Sequence, residues 1–222
     1  MRMVRSFTLV ALTALSMLGA MPVPHTGVDR DGGPAVSFND SKIAVTGGTK
    51  GDVLYAAGLE IRGGEVAVLL EARVATATVA ADGTAALDMQ NRIAVRSIWI
   101  VVDGKGGYTV TPGPGMVRRL MSLQGNGKVS GSDGQVRQML ARRYSIYVYL
   151  VRPGTGMWSA RFMDGQQNDD DKHANGSVTG SLQSLAPVAG TTAQPPQHLS
   201  PGDVLFIVDP YSLEYAVSRM GK

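Results

Sequence analysis

Short apolar runs, each ended by glycine, proline or aspartate, recur along this chain. The clearest lies in Tyr144–Phe162, where Ser145–Val151 is rich in β-branched and aromatic residues and the chain turns at Gly154 before it restarts at Trp158. β-branched and aromatic residues fit a pleated surface, and glycine supplies the backbone freedom that a tight turn needs. The pattern predicts an antiparallel hairpin over this stretch.

Three more hairpins follow the same pattern, and their first strands are Asp52–Ile61, Ser97–Val102 and Asp203–Val208. Runs this short have the usual length of strands, whereas helices of that length are marginal. Gly-Asp-Val-Leu occurs twice, at Gly51–Leu54 and at Gly202–Leu205. A duplicated unit would explain the recurrence, but the segments between the hairpins do not match, which favours an ordinary antiparallel protein.

The predicted fold class is all-β and mainly antiparallel, a β-sandwich of Ig-like character with one short helix. A small four-bladed β-propeller is the alternative, because the four hairpins have blade-like spacing. Lys42–Thr46 is predicted as a first edge strand, and Asp52–Met89 as an antiparallel meander. Asp82 followed by Gly83 is a strong hairpin signal within that meander.

The N-terminus has the pattern of a signal peptide over residues 1–20. Arg2 and Arg5 precede a short, mostly apolar run over Ser6–Leu18, and Gly19-Ala20 offers a small residue at the cleavage point. Residues 21–41 are then predicted to be a flexible leader, and residues 42–220 a single β domain. The expected location is secreted, periplasmic or at the bacterial cell surface, with no transmembrane segment in the mature chain.

The composition narrows the classes of function. The chain has no cysteine, which excludes disulfides and a cysteine nucleophile. Loss of the first 20 residues removes two arginines and lowers the formal net charge from +3 to +1, which argues against a nucleic-acid partner. His25, His173 and His198 all lie in segments predicted to be mobile, which suit a preorganised base poorly. No catalytic residue is therefore predicted.

A basic insertion spans residues 116–143 and carries the arginine pairs Arg118, Arg119, Arg142 and Arg143. Ser132 or Asp133 could cap a short helix over Gln135–Arg143. One interpretation is a basic patch that contacts an anionic polymer, lipid headgroups or an acidic partner. The other is a solvated cover over the end of a sheet.

An acidic loop spans residues 164–177, and its candidate metal ligands are Asp164, Asp169, Asp171 and Asn175. Alternate residues of an extended segment point the same way, so these oxygens could converge on one calcium ion, which prefers several oxygen ligands. The alternative is a polar loop that turns at Asn175 and Gly176. Calcium is the only cofactor that the sequence suggests.

Both faces of Ser145–Val151 are apolar or aromatic, although a sheet open to water on one side should alternate. Either a second layer covers the outer face, or Tyr147 and Tyr149 form a partner-binding stripe with Trp158, suited to sugar rings or to protein. A Pro-rich excursion over residues 185–201 could supply the cover.

These observations predict an exported, non-catalytic binding or structural β module of the bacterial cell envelope or exterior. Its partner would be another envelope protein, or an anionic or glycan polymer. A secreted hydrolase that uses carboxylates or a bound metal is one alternative. A subunit of an extracellular assembly, paired through an exposed sheet edge, is the other.

Overall fold

The computed structural model describes residues 29–63, 68–114, 129–130, 135–140, 145–163 and 176–221. In chain order its strands are β1 Asp29–Asp31, β2 Ala35–Asn39, β3 Lys42–Thr46, β4 Val53–Gly63, β5 Val68–Thr78, β6 Ala85–Asp88, β7 Ser97–Val102, β8 Tyr108–Pro112, β9 Val129–Ser130, β10 Gln135–Leu140, β11 Ser145–Arg152, β12 Gly156–Met163, β13 Gly176–Ser181, β14 Ala186–Val188, β15 Val204–Val208 and β16 Tyr215–Arg219. A 3-10 turn at Leu182–Ser184 is the one helical element in these ranges. None of their helical segments has the length and apolar character needed to span a membrane.

The strands form four sheets. Two have five strands, central sheet 1 in the order β1-β8-β7-β4-β5 and central sheet 2 in the order β14-β12-β11-β15-β16. Two have three strands, outer sheet 1 as β2-β3-β6 and outer sheet 2 as β13-β10-β9. All strand pairs are antiparallel. The all-β, antiparallel prediction is therefore confirmed.

The same topology occurs twice along the chain. The first half has seven strands, β2 to β8. Its outer sheet has the order β2-β3-β6, which are the first, second and fifth of these strands. In its central sheet the order is β8-β7-β4-β5, which are the seventh, sixth, third and fourth. The second half has the same seven strands in β9 to β16 when the added strand β14 is left out. Its outer sheet, β9-β10-β13, again joins the first, second and fifth strands, and its central sheet, β16-β15-β11-β12, again has the order seventh, sixth, third, fourth. Each half is thus an Ig-like sandwich whose fourth strand lies beside its third.

This repeat corrects two expectations. The duplicated unit that the sequence disfavoured is present in the topology. The four-bladed propeller is wrong, because the hairpins β4–β5 and β7–β8 join in one sheet instead of forming separate blades. The predicted single domain is consequently built from two sandwiches.

Three layers of apolar side chains hold the sheets together. The middle layer, the shared core, lies between the two central sheets and includes Leu59 and Ile100 from the first half and Tyr149 and Phe206 from the second. A second layer fills the first sandwich, between central sheet 1 and outer sheet 1. A third covers the other face of central sheet 2 and includes Val178 of β13.

The continuous apolar strands follow from this layering. Successive residues of a strand point to opposite faces: Ile98 and Ile100 of β7 enter the shared core, whereas Trp99 and Val101 enter the core of the first sandwich. Every residue of β7 and of β15 is buried. A strand covered on both faces cannot alternate with polar residues.

The helix predicted over Gln135–Arg143 is wrong in the part that is described. Gln135–Leu140 is strand β10, and it pairs with β13 over six residues. Apolar residues at Val136 and Leu140 fit a period of two as well as a helical period, and a helix this short is marginal on its own. Pairing on both sides, with β13 and β9, satisfies the backbone instead.

Three other boundaries differ from the expectations. Part of the predicted leader is ordered, because β1 pairs with β8 and β2 pairs with β3. Lys42–Thr46 is the middle strand of its sheet and not an edge. The turn at Asp82 and Gly83 joins different sheets, because β5 pairs with β4 and β6 pairs with β3. It moves the chain from one layer to the next.

Hydrogen bonds cross the junction between the halves as well. The Tyr149 hydroxyl donates to the carbonyl oxygen of Gly58 at 2.9 Å. The Tyr215 hydroxyl donates to a carboxylate oxygen of Asp29 at 3.0 Å. Burial, with the neighbouring charge of Asp29, raises the pKa of Tyr215, so this phenol stays protonated as a donor.

Candidate functional site

Most of the predicted site residues lie outside the described ranges. These are the calcium ligands Asp164, Asp169, Asp171 and Asn175 and the arginines Arg118, Arg119, Arg142 and Arg143. Among the described residues, no group of three or more histidine, aspartate or glutamate side chains could hold a metal ion. Residues 164–175 of the acidic loop and the four arginines lie outside the described ranges, so the calcium site and the basic patch stay predictions.

The aromatic residues of the predicted stripe are described. Tyr149 is 0% exposed in the shared core, and Trp158 is 1% exposed in the core of the second sandwich, where its indole N–H donates to Ala193 at 2.9 Å. Tyr147 is partly buried, and the Arg161 guanidinium lies 5.5 Å from its ring centroid. A covering layer therefore accounts for the two apolar faces, and no aromatic stripe lies on the surface there.

A cluster of charged side chains lies at the end of the β4–β5 ladder. Glu60 is 0% exposed, and its carboxylate accepts a hydrogen bond at 2.9 Å from Arg73, whose side chain is 7% exposed. The second oxygen of Glu60 contacts Arg62. Arg62 also lies 2.9 Å from the carboxylate of Glu71. The two carboxylates and two guanidiniums balance in charge.

Backbone carbonyls complete this cluster. Arg73 donates to the carbonyl oxygen of Asn91 at 3.0 Å, and Arg62 contacts the carbonyl oxygen of Arg92. The chain between β6 and β7 thus lies over the charged groups. A buried charge is tolerated when it is paired and hydrogen-bonded, and Glu60 meets both conditions. The cluster joins β4, β5 and this connection into one rigid corner.

A second buried pair occupies the equivalent end of the second half, where β11 ends and β15 begins. Arg152 donates to both carboxylate oxygens of Asp203, at 2.9 and 2.8 Å. It also donates to the His198 carbonyl and to the Ser200 hydroxyl, both at 3.0 Å. The bond to Asp203 raises the pKa of Arg152. This pair fixes the end of the Pro-rich excursion to the sheet.

A cleft of about 720 Å³ lies where the β7–β8 turn of the first half meets the second half. Its lining includes Asp31, Lys105, Pro153 and Arg219. Arg219 lies 3.6 Å from the carboxylate of Asp31 and donates to the Lys105 carbonyl at 3.0 Å. Asp31 and Arg219 thus pair with each other, and the Lys105 ammonium donates to the Thr49 hydroxyl at 3.3 Å, so the charged groups do not converge on a shared point.

The open edge of β5 is the feature that stands out for binding. Its eleven residues pair with β4 in an unbroken register, and in the described part of the chain no strand pairs with its other side. Natural edge strands are usually short or carry proline, a bulge or charged side chains, lysine above all. β5 is long and carries no proline, glycine or lysine, and its two charged residues, Glu71 and Arg73, are already paired with Arg62 and Glu60 of β4. Leu69, near its start, is 61% exposed.

Glu60 and Glu71 lie directly opposite each other in the β4–β5 ladder. Glu60 is buried, whereas the Glu71 side chain is 37% exposed. The signal that was available is the alternation of opposite charges, Glu60, Arg62, Glu71 and Arg73, at every second position of two neighbouring strands.

Comparison with protein-family models, with curated proteins and with solved structures finds no match for this chain. The Ig-like strand order in both halves describes the fold alone. Sandwiches of this kind carry many unrelated functions. Function has to be argued from particular surfaces.

Proposed function

We propose that this chain is an exported, non-catalytic binding or structural module of the bacterial cell envelope or exterior, and that it binds through the open edge of β5. The observation that carries the proposal is the length of this strand's outer edge, with which no strand among the described residues pairs. An exposed edge presents a row of backbone N–H and C=O groups, which a partner strand can satisfy.

The packing of the charged side chains supports a structural role for them. Glu60 and Asp203 are both buried, and each binds arginine from a neighbouring strand or connection. Such groups make the β4–β5 corner rigid, because the cluster spans both strands and the connection beyond them. A rigid strand loses little conformational entropy when a partner pairs with it. Binding by strand addition uses that property.

Export rests on the sequence of residues 1–20, which lie outside the described ranges. The positive start, the apolar run and the small residues at its end are the parts of a signal peptide. The hydrolase alternative depends chiefly on the acidic loop, and it stays a prediction of the sequence.

Export is tested with the full chain carrying a C-terminal tag in a bacterial host. We expect protein outside the cytoplasm whose N-terminus lies near Met21. A matched variant, Leu12→Arg with Leu15→Arg, interrupts the apolar run and should stay in the cytoplasm at full length. Protein recovered outside the cytoplasm with its first residues intact would contradict cleavage.

Binding by the β5 edge is tested by site-specific photo-crosslinking, because the chain has no cysteine of its own. A photoreactive maleimide is attached to Thr76→Cys on β5 or, as control, to Lys50→Cys in the turn before β4; both positions are exposed. We expect a discrete adduct from β5 alone in envelope preparations. The same adducts from both positions would remove the edge as a specific surface.

A further inference from the structure

We infer that the open edge of β5 pairs with β5 of a second copy of this chain, antiparallel and symmetric about Ala72. This inference rests on the proposed function, because it names the partner of the same edge. It makes the protein a homodimer in which two five-stranded central sheets become one continuous sheet.

The fold already covers parts of two other central-sheet edges by adding strands. β1 adds to the free side of β8 through three residue pairs, and β14 adds to the free side of β12 through three. The far edge of central sheet 2 is β16, which has five residues. β5 has eleven and nothing added. It is therefore the longest unsatisfied edge in the described part of the chain.

The sequence of β5 is complementary to itself. When two identical strands pair antiparallel and symmetrically, one residue lies opposite its own copy. The choice of this central residue determines which residues of the two copies lie opposite each other. A centre at Ala72 places Glu71 of one copy opposite Arg73 of the other, twice. Opposite charges stabilise such cross-strand pairs, and like charges destabilise them.

The neighbouring centres lack this match. A centre at Glu71 puts two glutamates opposite each other, and a centre at Arg73 puts two arginines opposite each other. A centre at Val74 places both charged residues opposite alanines. Only the centre at Ala72 pairs charges of opposite sign while it aligns Val68–Thr76 of both copies.

Apolar residues match in the same register. Leu70 of one copy lies opposite Val74 of the other, on the face that packs towards the shared core, where both side chains are partly buried. On the other face, the exposed Leu69 lies opposite Ala75. Aliphatic cross-strand pairs of this kind stabilise a sheet. Pairing thus covers the most exposed apolar side chain of the strand.

The charged corner is compatible with this arrangement. Arg73 donates to Glu60 and to the Asn91 carbonyl, and a guanidinium has five N–H donors in all. Glu71 is already paired with Arg62 of its own copy through one carboxylate oxygen, and its other oxygen is the acceptor for Arg73 of the second copy. Since Arg73 is held by Glu60, its charge is already in place when the second strand arrives.

The test uses single cysteines in a protein that otherwise has none. Directly opposed residues of antiparallel strands have Cα atoms about 4.5–5.5 Å apart, within the range that a disulfide spans. Ala72→Cys should therefore form a covalent dimer on mild oxidation. In the same register Thr76 of one copy lies opposite Val68 of the other, so the two Thr76 residues are eight positions, or about 26 Å, apart along the strands. Thr76→Cys should therefore not form a disulfide.

Sedimentation of the purified protein gives the second measurement. We expect the native chain to shift from monomer to dimer as concentration rises. Ala72→Lys places two lysines opposite each other at the centre and should weaken dimerisation at least tenfold. Thr76→Lys adds the same charge near the end of the ladder and should weaken it less. Both positions are exposed, so both variants should fold.

Three results would overturn self-pairing. They are a native chain that stays monomeric at every concentration, equal disulfide formation by the two cysteine variants, or equal effects of the two lysines. A β5 adduct whose mass is not twice that of the chain would also overturn self-pairing, yet it would support the proposed binding edge. Retention in the cytoplasm would refute export and leave the sedimentation result unchanged.

Discussion

The buried carboxylate of Glu60 allows a sharp test of the packing. Glu60→Gln keeps the shape of the side chain but removes its charge. Arg73, with a side chain only 7% exposed, then loses the carboxylate that it binds at 2.9 Å. Removing one partner of a buried ion pair costs about 3–5 kcal/mol, because the other charge stays buried without compensation.

A matched control lies directly across the ladder. Glu71 pairs with Glu60 in register, and its side chain is 37% exposed beside Arg62. Ion pairs near water contribute about 0–1 kcal/mol, so Glu71→Gln should cost at most that. The two substitutions change the same atoms on neighbouring strands, and burial is the main difference between them.

The assay is denaturant unfolding followed by tryptophan fluorescence, with Trp99 as a buried reporter. In dilute protein, where the chain is monomeric, Glu60→Gln should lower the unfolding midpoint strongly at unchanged slope, whereas Glu71→Gln should barely move it. Replacing the pair together, Glu60→Met with Arg73→Met, should recover much of the loss, because an apolar pair leaves no buried charge. Equal destabilisation by the two glutamine variants would refute the reasoning.

Other predictions follow from the same packing. Tyr149→Phe should cost about 1 kcal/mol in unfolding experiments, because it removes the buried bond to Gly58, and the partly exposed Tyr147→Phe should cost less. Burial raises the pKa of Tyr149 above its ordinary value of 10.0. The unfolded chain therefore loses that proton first, stability falls as the pH rises above 10.0, and Tyr149→Phe should reduce the fall. Gly58→Ala should cost about 1–3 kcal/mol, since its Cβ would lie 2.4 Å from the Trp99 ring; an unchanged midpoint would contradict this contact. Calcium should raise the melting temperature, and Asp169→Ala with Asp171→Ala should abolish the rise; no effect on the native protein would remove the calcium site.

The strands could be predicted where the two-residue period and the turn residues agree. The continuous apolar run at Ser97–Val102 correctly implied a strand, and the similar run at Ser145–Val151 correctly raised the prospect of cover on both faces. At Gln135–Leu140 six residues fit two periods, and only the neighbouring strands decided the outcome. Glu60 was missed because alternation alone cannot distinguish a wet polar face from a charged cluster under a covering loop.

The duplication could not be seen in the residues, because equivalent strands share a place in the topology and not a sequence. The repeated Gly-Asp-Val-Leu does not mark equivalent positions in the two halves. At Gly51–Leu54 it leads into β4, the third strand of its half, whereas at Gly202–Leu205 it leads into β15, the sixth. The true equivalents of these strands are β11 and β7. What the halves conserve is the order in which strands pair.

The doubled sandwich limits where a partner can bind. Central sheet 1 packs on the shared core with one face and on outer sheet 1 with the other, and both faces of central sheet 2 are covered as well. Both faces of the central sheets are therefore covered in the described residues, which leaves loops, edges and the outward face of outer sheet 1, where Lys42 and Thr46 are exposed, for binding. Two long edges are taken by β1 and β14. The same layering that buries every residue of β7 and of β15 thus leaves β5, within the described residues, as the longest strand whose outer backbone groups have no partner strand.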